Sequence, residues 1–348
     1  MDSVQKIDVN ILTDRLRQYI LDAKQNVAAA VNSELVRLYW NIGNTIRKEI
    51  LHESRAEYGK EVIKNTSRNL QNEFGRGYSV ANLNHFIKFA EIFPDDQIVY
   101  ALSRELSWTH LRLIMYLKDE LQREFYLELS KAERWSSRIL KNRIGSMLYE
   151  RTAIAKKPDE QIRQDLDLLK NEGKISDDLI FRDPYVLDFL NLSDTFSEKD
   201  LESAILKELQ KFITELGSDF AFLARQKRIT VDGEDYYMDL LFFHRKMNRL
   251  IVIELKLDKF HPKDKGQIEF YLRWLEKYEM HENENLPVGL ILCAGKSEET
   301  VELMTLKEDQ IKVAEFLTIL PPKKVLEEKL HFAIEQAKMR LKAGKNDS

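Results

Sequence analysis

Cysteine is almost missing from this chain of 348 residues: a single one, Cys293, lies inside an apolar run. One thiol excludes a disulfide framework and fits a reducing compartment, so a cytoplasmic protein is expected. No apolar stretch approaches the roughly 20 residues a membrane helix needs, and the N-terminus has no signal-peptide core. A surplus of basic charge is missing too. Lys and Arg number 54 against 58 Asp and Glu, a net charge of −4. That balance excludes a uniformly basic nucleic-acid coat while leaving room for a local basic face. There is no P-loop and no Gly-rich dinucleotide loop, which argues against energy-coupled work within the chain.

What is present is a pair of anomalies in the second half. Ile251-Val-Ile-Glu-Leu-Lys-Leu257 reads as a buried strand that contains a carboxylate and an amine. Such groups are rarely buried unless paired or bound. Side chains alternate along a strand, so Glu254 and Lys256 share a face, with Cα atoms about 7 Å apart. Upstream, Tyr236 to Phe243 is an apolar run broken by Asp239 alone. The polar stretch His244 to Arg249 between the runs suits a turn, so the two strands read as a hairpin. Asp239, Glu254 and Lys256 then converge at one end of a sheet. A salt bridge on an exposed strand face is the competing reading of Glu254 and Lys256. Asp239 weighs against it, because two neighbouring carboxylates repel unless a cation sits between them. The constellation therefore points to a divalent-metal site.

Asp239 followed by Glu254-Leu255-Lys256 on the next strand resembles the signature of the PD-(D/E)XK nuclease superfamily, although Met238 stands where a proline precedes the first acid. Lys265 to Leu272 resembles the helix that carries a supporting Gln or Lys in that superfamily. Over most of its length the chain resembles the bacterial YhcG-like family. Matching stretches are Tyr58-Gly-Lys60, Leu106 to His110, Asp183-Pro-Tyr185, Asp200-Leu-Glu202, Gly233 to Tyr237 and Pro287 to Cys293. The resemblance implies nucleic acid as the partner, DNA in preference to RNA, and Mg²⁺ or Mn²⁺ as the cofactor. It implies that Asp239 and Glu254 hold the metal, with the Leu255 carbonyl a further ligand. Glu202 would be an extra acid acting through water; a solvated helix residue is the alternative. Lys256 would position the attacking water and Gln267 would support it, with Tyr271 on the same helix face.

Length favours about two domains. Residues 1–152 read as an all-α domain, 153–180 as a polar linker and 181–348 as the nuclease domain. In the first, apolar positions from Ile11 to Ile50 keep helical spacing. A helix over 59–74, the break at Gly75-Arg-Gly77, and a second helix capped by Ser79 and stopped at Pro94 suggest a helix-turn-helix or winged variant. Arg68, Arg76, Asn82, His85 and Lys88 are its candidate nucleic-acid contacts. A helical interaction domain, for a second copy or a partner protein, is the alternative. Helices are expected over 107–117, 119–129 and 136–148. In and around the last lies a basic cluster that includes Arg143 and Arg151, read either as a solvated face or as phosphate contacts.

The second half then reads helix (198–216), three strands (220–231, 236–244, 249–257), helix (264–278), strand (288–293), helix (297–306) and strand (311–319), closed by a Lys-rich helix from Pro321. This is an α+β chain whose α-β-β-β-α-β core matches the restriction-endonuclease-like fold. Since that core is complete beyond residue 176, a fragment starting there is expected to fold alone. The leading expectation is a metal-dependent nuclease. A nucleic-acid-binding or protein-recruiting module on a nuclease fold, with weak or conditional cleavage, is the second reading, and a helix-turn-helix regulator is the third.

Overall fold

The computed structural model describes residues 9–325 apart from 52–55, 156–158, 173–176, 182, 193–194, 218, 305–309 and 323. The Lys-rich helix expected from Pro321 falls almost wholly outside them. The chain forms two compact units, Met1–Arg123 and Glu124–Ser348. No helix among the described residues is long and apolar enough to cross a membrane.

The first unit contains α1 (Val9–Leu51), α2 (Ala56–Phe74), α3 (Val80–Ile92), α4 (Asp96–Glu105) and α5 (Trp108–Ile114). Ser79 caps α3 as its sequence suggests, its Oγ accepting from Asn82 N at 3.3 Å. The α1–α3 contact is unusually close. A Cβ on Gly43 would lie 1.9 Å from the Phe86 carbonyl oxygen, so only glycine lets the two backbones meet. Tyr39 stacks on Phe86 with ring centroids 4.3 Å apart, and the Trp40 indole donates to Phe93 O at 2.7 Å. Helix α4 had no counterpart in the sequence reading. It starts at Asp95, whose carboxylate accepts from Gln97 N at 2.7 Å. Its apolar residues do not fall on a single face: Val99 and Leu102 are buried, whereas Ile98 and Tyr100 are exposed.

Helix α6 (Glu120–Ala132) runs across the division, and the second unit continues with α7 (Ser137–Gly145), α8 (Leu148–Ala155), α9 (Asp159–Glu172) and α10 (Asp177–Ile180). Helix α9 occupies residues whose polarity had suggested a linker, and it buries Ile162, Leu166 and Leu169. The basic cluster near α7 is neither a solvated face nor a set of phosphate contacts where Arg143 and Arg151 are concerned. Both are buried, 4% and 1% exposed. Each donates to Glu215, at 2.6 and 2.9 Å. Glu215 Oε1 also accepts from Val186 N at 2.9 Å, and Arg151 reaches Pro184 O at 2.9 Å. This buried charge cluster ties residues 143–151 to the segment that enters the sheet.

That sheet has six strands: β1 (Tyr185–Val186), β2 (Phe220–Val231), β3 (Glu234–His244), β4 (Arg249–Lys259), β5 (Val288–Gly295) and β6 (Ile311–Leu317), in the order β1-β6-β5-β4-β3-β2. β2, β3 and β4 are antiparallel neighbours, and β4, β5, β6 and β1 run parallel. The helix expected over 198–216 is two helices, α11 (Glu198–Lys207) and α12 (Leu209–Leu216), separated at Glu208. Leu201, Ile205, Phe212 and Leu216 from these pack on Leu240, Phe242, Ile251, Ile253 and Leu290. On the opposite face α13 (Pro262–Tyr278) brings Ile268, Leu272 and Leu275 against Leu241, Val252 and Ile291. Gly289 permits this approach, since a Cβ there would lie 2.4 Å from Ile268 Cδ1. Helix α14 (Glu298–Leu303) joins β5 to the segment before β6. Both faces are covered, as the parallel half of such a sheet requires.

Candidate active site

The β3–β4 ladder pairs His244 with Arg249 and runs inward to Leu240 and Ile253, where it ends. One residue further, side chains take over from backbone carbonyls. The Leu255 N–H donates to Asp239 Oδ2 at 2.9 Å, and the Asp239 N–H donates to Glu254 Oε1 at 3.3 Å. Two carboxylates thus occupy the gap where the strands part. Alternation along β3 also breaks here, since Met238 packs on the α13 side and Leu240 on the other.

Lys256 shares the face of Glu254, as strand periodicity requires, and its Nζ lies 3.5 Å from Glu254 Oε2. Helix α13 begins with Pro262 in its first turn, and Asp264 Oδ2 accepts from His261 N at 2.9 Å. This start sets the helix register so that Gln267 and Tyr271, one turn apart, face the strands. Gln267 completes a ring: its Oε1 accepts from Lys256 Nζ at 3.4 Å and its Nε2 donates to Glu254 Oε2 at 3.1 Å. The same Nε2 lies 3.1 Å from the Tyr271 hydroxyl, which donates to Tyr237 O at 2.9 Å. Tyr271 is therefore both core and a brace for Gln267.

Glu254 is 2% exposed. Burial, reinforced by the Asp239 charge and partly opposed by Lys256, pushes its carboxyl up to about 8. Lys256 is pulled down by burial, but the Glu254, Glu198, Asp239 and Asp264 carboxylates outweigh that and hold it above its ordinary value. Lys256 is thus an ammonium, suited to orienting water or facing phosphate charge, and not a base.

Glu202, on α11, is 8% exposed, which sets aside the solvated-residue alternative. It meets Asp239 indirectly through a residue the sequence reading passed over, Gln226 on β2. The Gln226 amide donates to Glu202 Oε2 and to Asp239 Oδ1, both at 2.9 Å. Gln226 sits among the charged residues of Arg225-Gln-Lys-Arg228, a context that marks no site. Its backbone, at φ 43°, is not legible from composition.

Among the described residues no three His, Cys, Asp or Glu side chains stand together as a ready metal cage. The donor set at the gap is two carboxylates, Asp239 and Glu254, with Glu202 one amide away. All are hard oxygen donors, and a cation that keeps several waters, as Mg²⁺ does, fits a site with few protein ligands.

The candidate contacts in the first unit are a separate matter. Arg68 and Arg76 are exposed. Asn82 donates to Gly77 O at 2.8 Å, His85 Nδ1 lies 2.6 Å from the Tyr116 hydroxyl, and Lys88 pairs with Glu91 at 3.3 Å. Burial and then the nearby Arg112 hold His85 below its usual range.

Residues 178–331 match the family model of the YhcG PDDEXK nuclease domain, and residues 15–151 that of the DUF1016 N-terminal domain. The protein of Escherichia coli (strain K12) named "Putative nuclease YhcG" is 32% identical over 314 residues, covering 81% of this chain and 83% of its own. Among solved structures, a repair endonuclease from Pyrococcus abyssi aligns at 21% identity and a TM-score of 0.25, over 37% of this chain and 50% of its own. The EndoMS–dsDNA2 complex aligns at 16% identity and a TM-score of 0.26, over 38% of this chain and 48% of its own. This chain thus spans about half the length of those two structures.

Proposed function

Because this chain belongs to the YhcG family, whose members carry a PD-(D/E)XK nuclease domain, we propose that it hydrolyses nucleic-acid phosphodiesters with a divalent cation held at Asp239 and Glu254. The observation that carries this reading is the gap between β3 and β4, where the two carboxylates replace the ladder and Lys256 and Gln267 close over Glu254. A purely structural ion pair has no use for the second acid.

Asp239 and Glu254 would hold Mg²⁺ or Mn²⁺, with the Leu255 carbonyl as a further ligand and Glu202 acting through water. The ion would supply an activated water and charge neutralisation at the phosphate. The chain's own residues do the rest. The Lys256 ammonium orients the attacking water and faces charge that builds on the phosphate. Gln267 fixes the rotamers of both Lys256 and Glu254, and Tyr271 fixes Gln267. DNA is the substrate the family resemblance favours. The exposed Arg68 and Arg76 are proposed as phosphate contacts, with Asn82, His85 and Lys88 free to help only by releasing partners within the fold.

A cation that binds only the folded state raises its melting temperature. Mg²⁺ is expected to do so here, and Asp239→Asn to remove most of the rise. An unchanged response in that variant would put the cation elsewhere.

A further inference from the structure

We propose that Gln226 is a positioning residue for the metal site: one neutral amide that holds Glu202 and Asp239 in the arrangement a cation needs. This rests on the reading of Asp239 and Glu254 as metal ligands and adds a residue that the superfamily signature does not contain. The two hydrogen bonds, each 2.9 Å, run from one nitrogen to carboxylates on different elements, α11 and β3. Both partners are acceptors only, so the amide must present its NH₂ group to them. Without that bridge the two acids repel, and each is free to turn toward solvent. Arg225, the cation paired with Glu202, is 3.8 Å away with its side chain 60% exposed, beyond hydrogen-bond distance and without a bond to Asp239 to match.

An amide suits this task better than a lysine would. It gives hydrogens to both carboxylates but adds no net charge, so the attraction of the pair for a cation is undiminished. The backbone is shaped to deliver it. Gln226 lies between Arg225 and Lys227, which pair with Leu240 and Met238, yet its φ is 43°, in the left-handed region that a non-glycine strand residue avoids. That turn is placed directly opposite Asp239, where the alternation of β3 also breaks. Two irregularities on adjacent strands meet at one pair of acids. Backbone strain of this kind gathers at sites whose geometry is over-determined by their surroundings.

The test compares wild type with Gln226→Met, which keeps the length of the side chain and removes both donors, and with Gln226→Gly, which suits the left-handed backbone and removes the amide. Metal-free melting temperature reports folding, and Mg²⁺ titrations of the melting temperature and of nuclease rate report the site. In both variants the half-saturating Mg²⁺ concentration is expected to rise by about 10- to 100-fold, the usual loss for a partner of a metal ligand, with most of the rate recovered at saturating ion. A midpoint that stays at the wild-type value in both would overturn the assignment. So would a shift confined to Gln226→Met, which would mark a steric effect of the thioether. If wild type itself shows no Mg²⁺ response, the metal reading fails and this assignment fails with it.

Discussion

Lys256→Ala is expected to lower nucleic-acid cleavage by about 10²- to 10⁴-fold, the range for a single positioned acid–base or electrostatic group. The Mg²⁺-dependent rise in melting temperature should survive, because both carboxylates remain. The expectation follows from where the ammonium sits: 3.5 Å from Glu254 and 3.4 Å from Gln267, and charged. Lys256→Arg keeps the charge but replaces a compact head with a planar fork, so it should stay impaired. Initial rates at saturating Mg²⁺ decide the matter. A wild-type rate in Lys256→Ala would reduce Glu254 and Lys256 to an ion pair on a strand.

Glu215→Ala should be the most damaging substitution for stability, costing about 3–5 kcal/mol by stranding buried cations. Against the roughly 5–15 kcal/mol that holds a typical protein folded, that is enough to depopulate the native state on mild heating. Glu215 accepts from Arg143, Arg151 and the Val186 backbone at once, all of them inside the second unit. The same cluster bears on the expectation that a fragment starting near residue 176 folds alone. That fragment has Glu215 but neither arginine, so it should be poorly folded, whereas one starting at Glu124 keeps the whole cluster. Denaturant midpoints of the two fragments give the answer, and equal midpoints would show that the cluster contributes nothing.

The contrast between these two residues shows what the sequence made legible. Glu254 and Lys256 could be read because each interrupts an apolar run and a period of two puts both on one face. Asp239 could be read only as the one charge in its run, since alternation along β3 breaks between Met238 and Leu240. Gln267 and Tyr271 followed from helical spacing and the family resemblance. Gln226 could not be read, since an amide among charged residues breaks no pattern and its left-handed backbone is imposed by tertiary context. Arg143 and Arg151 were misread for a related reason. A charged residue in a polar helix looks solvated until the partner that neutralises it is known, and Glu215 is more than 60 residues away. The break between α11 and α12 at Glu208 has no proline or glycine to announce it. Strand β1 was too short to show a period, and its partner β6 lies at the far end of the domain in sequence. Helix α9 was hidden by its composition, because Ile162, Leu166 and Leu169, which reach the core, are scattered through a charged segment.

The gap between β3 and β4 is proposed as a metal-dependent phosphodiesterase centre. Its most direct test is cleavage of single-stranded, duplex and branched DNA and RNA by the full chain, with Mg²⁺ and with a chelator, beside Asp239→Asn purified in the same way. The expected result is cleavage of at least one DNA form that needs Mg²⁺ and is lost in Asp239→Asn. Cleavage that persists in the chelator or in the variant would contradict the claim. Tight binding without any cleavage would leave a recruiting module on a nuclease fold as the better account.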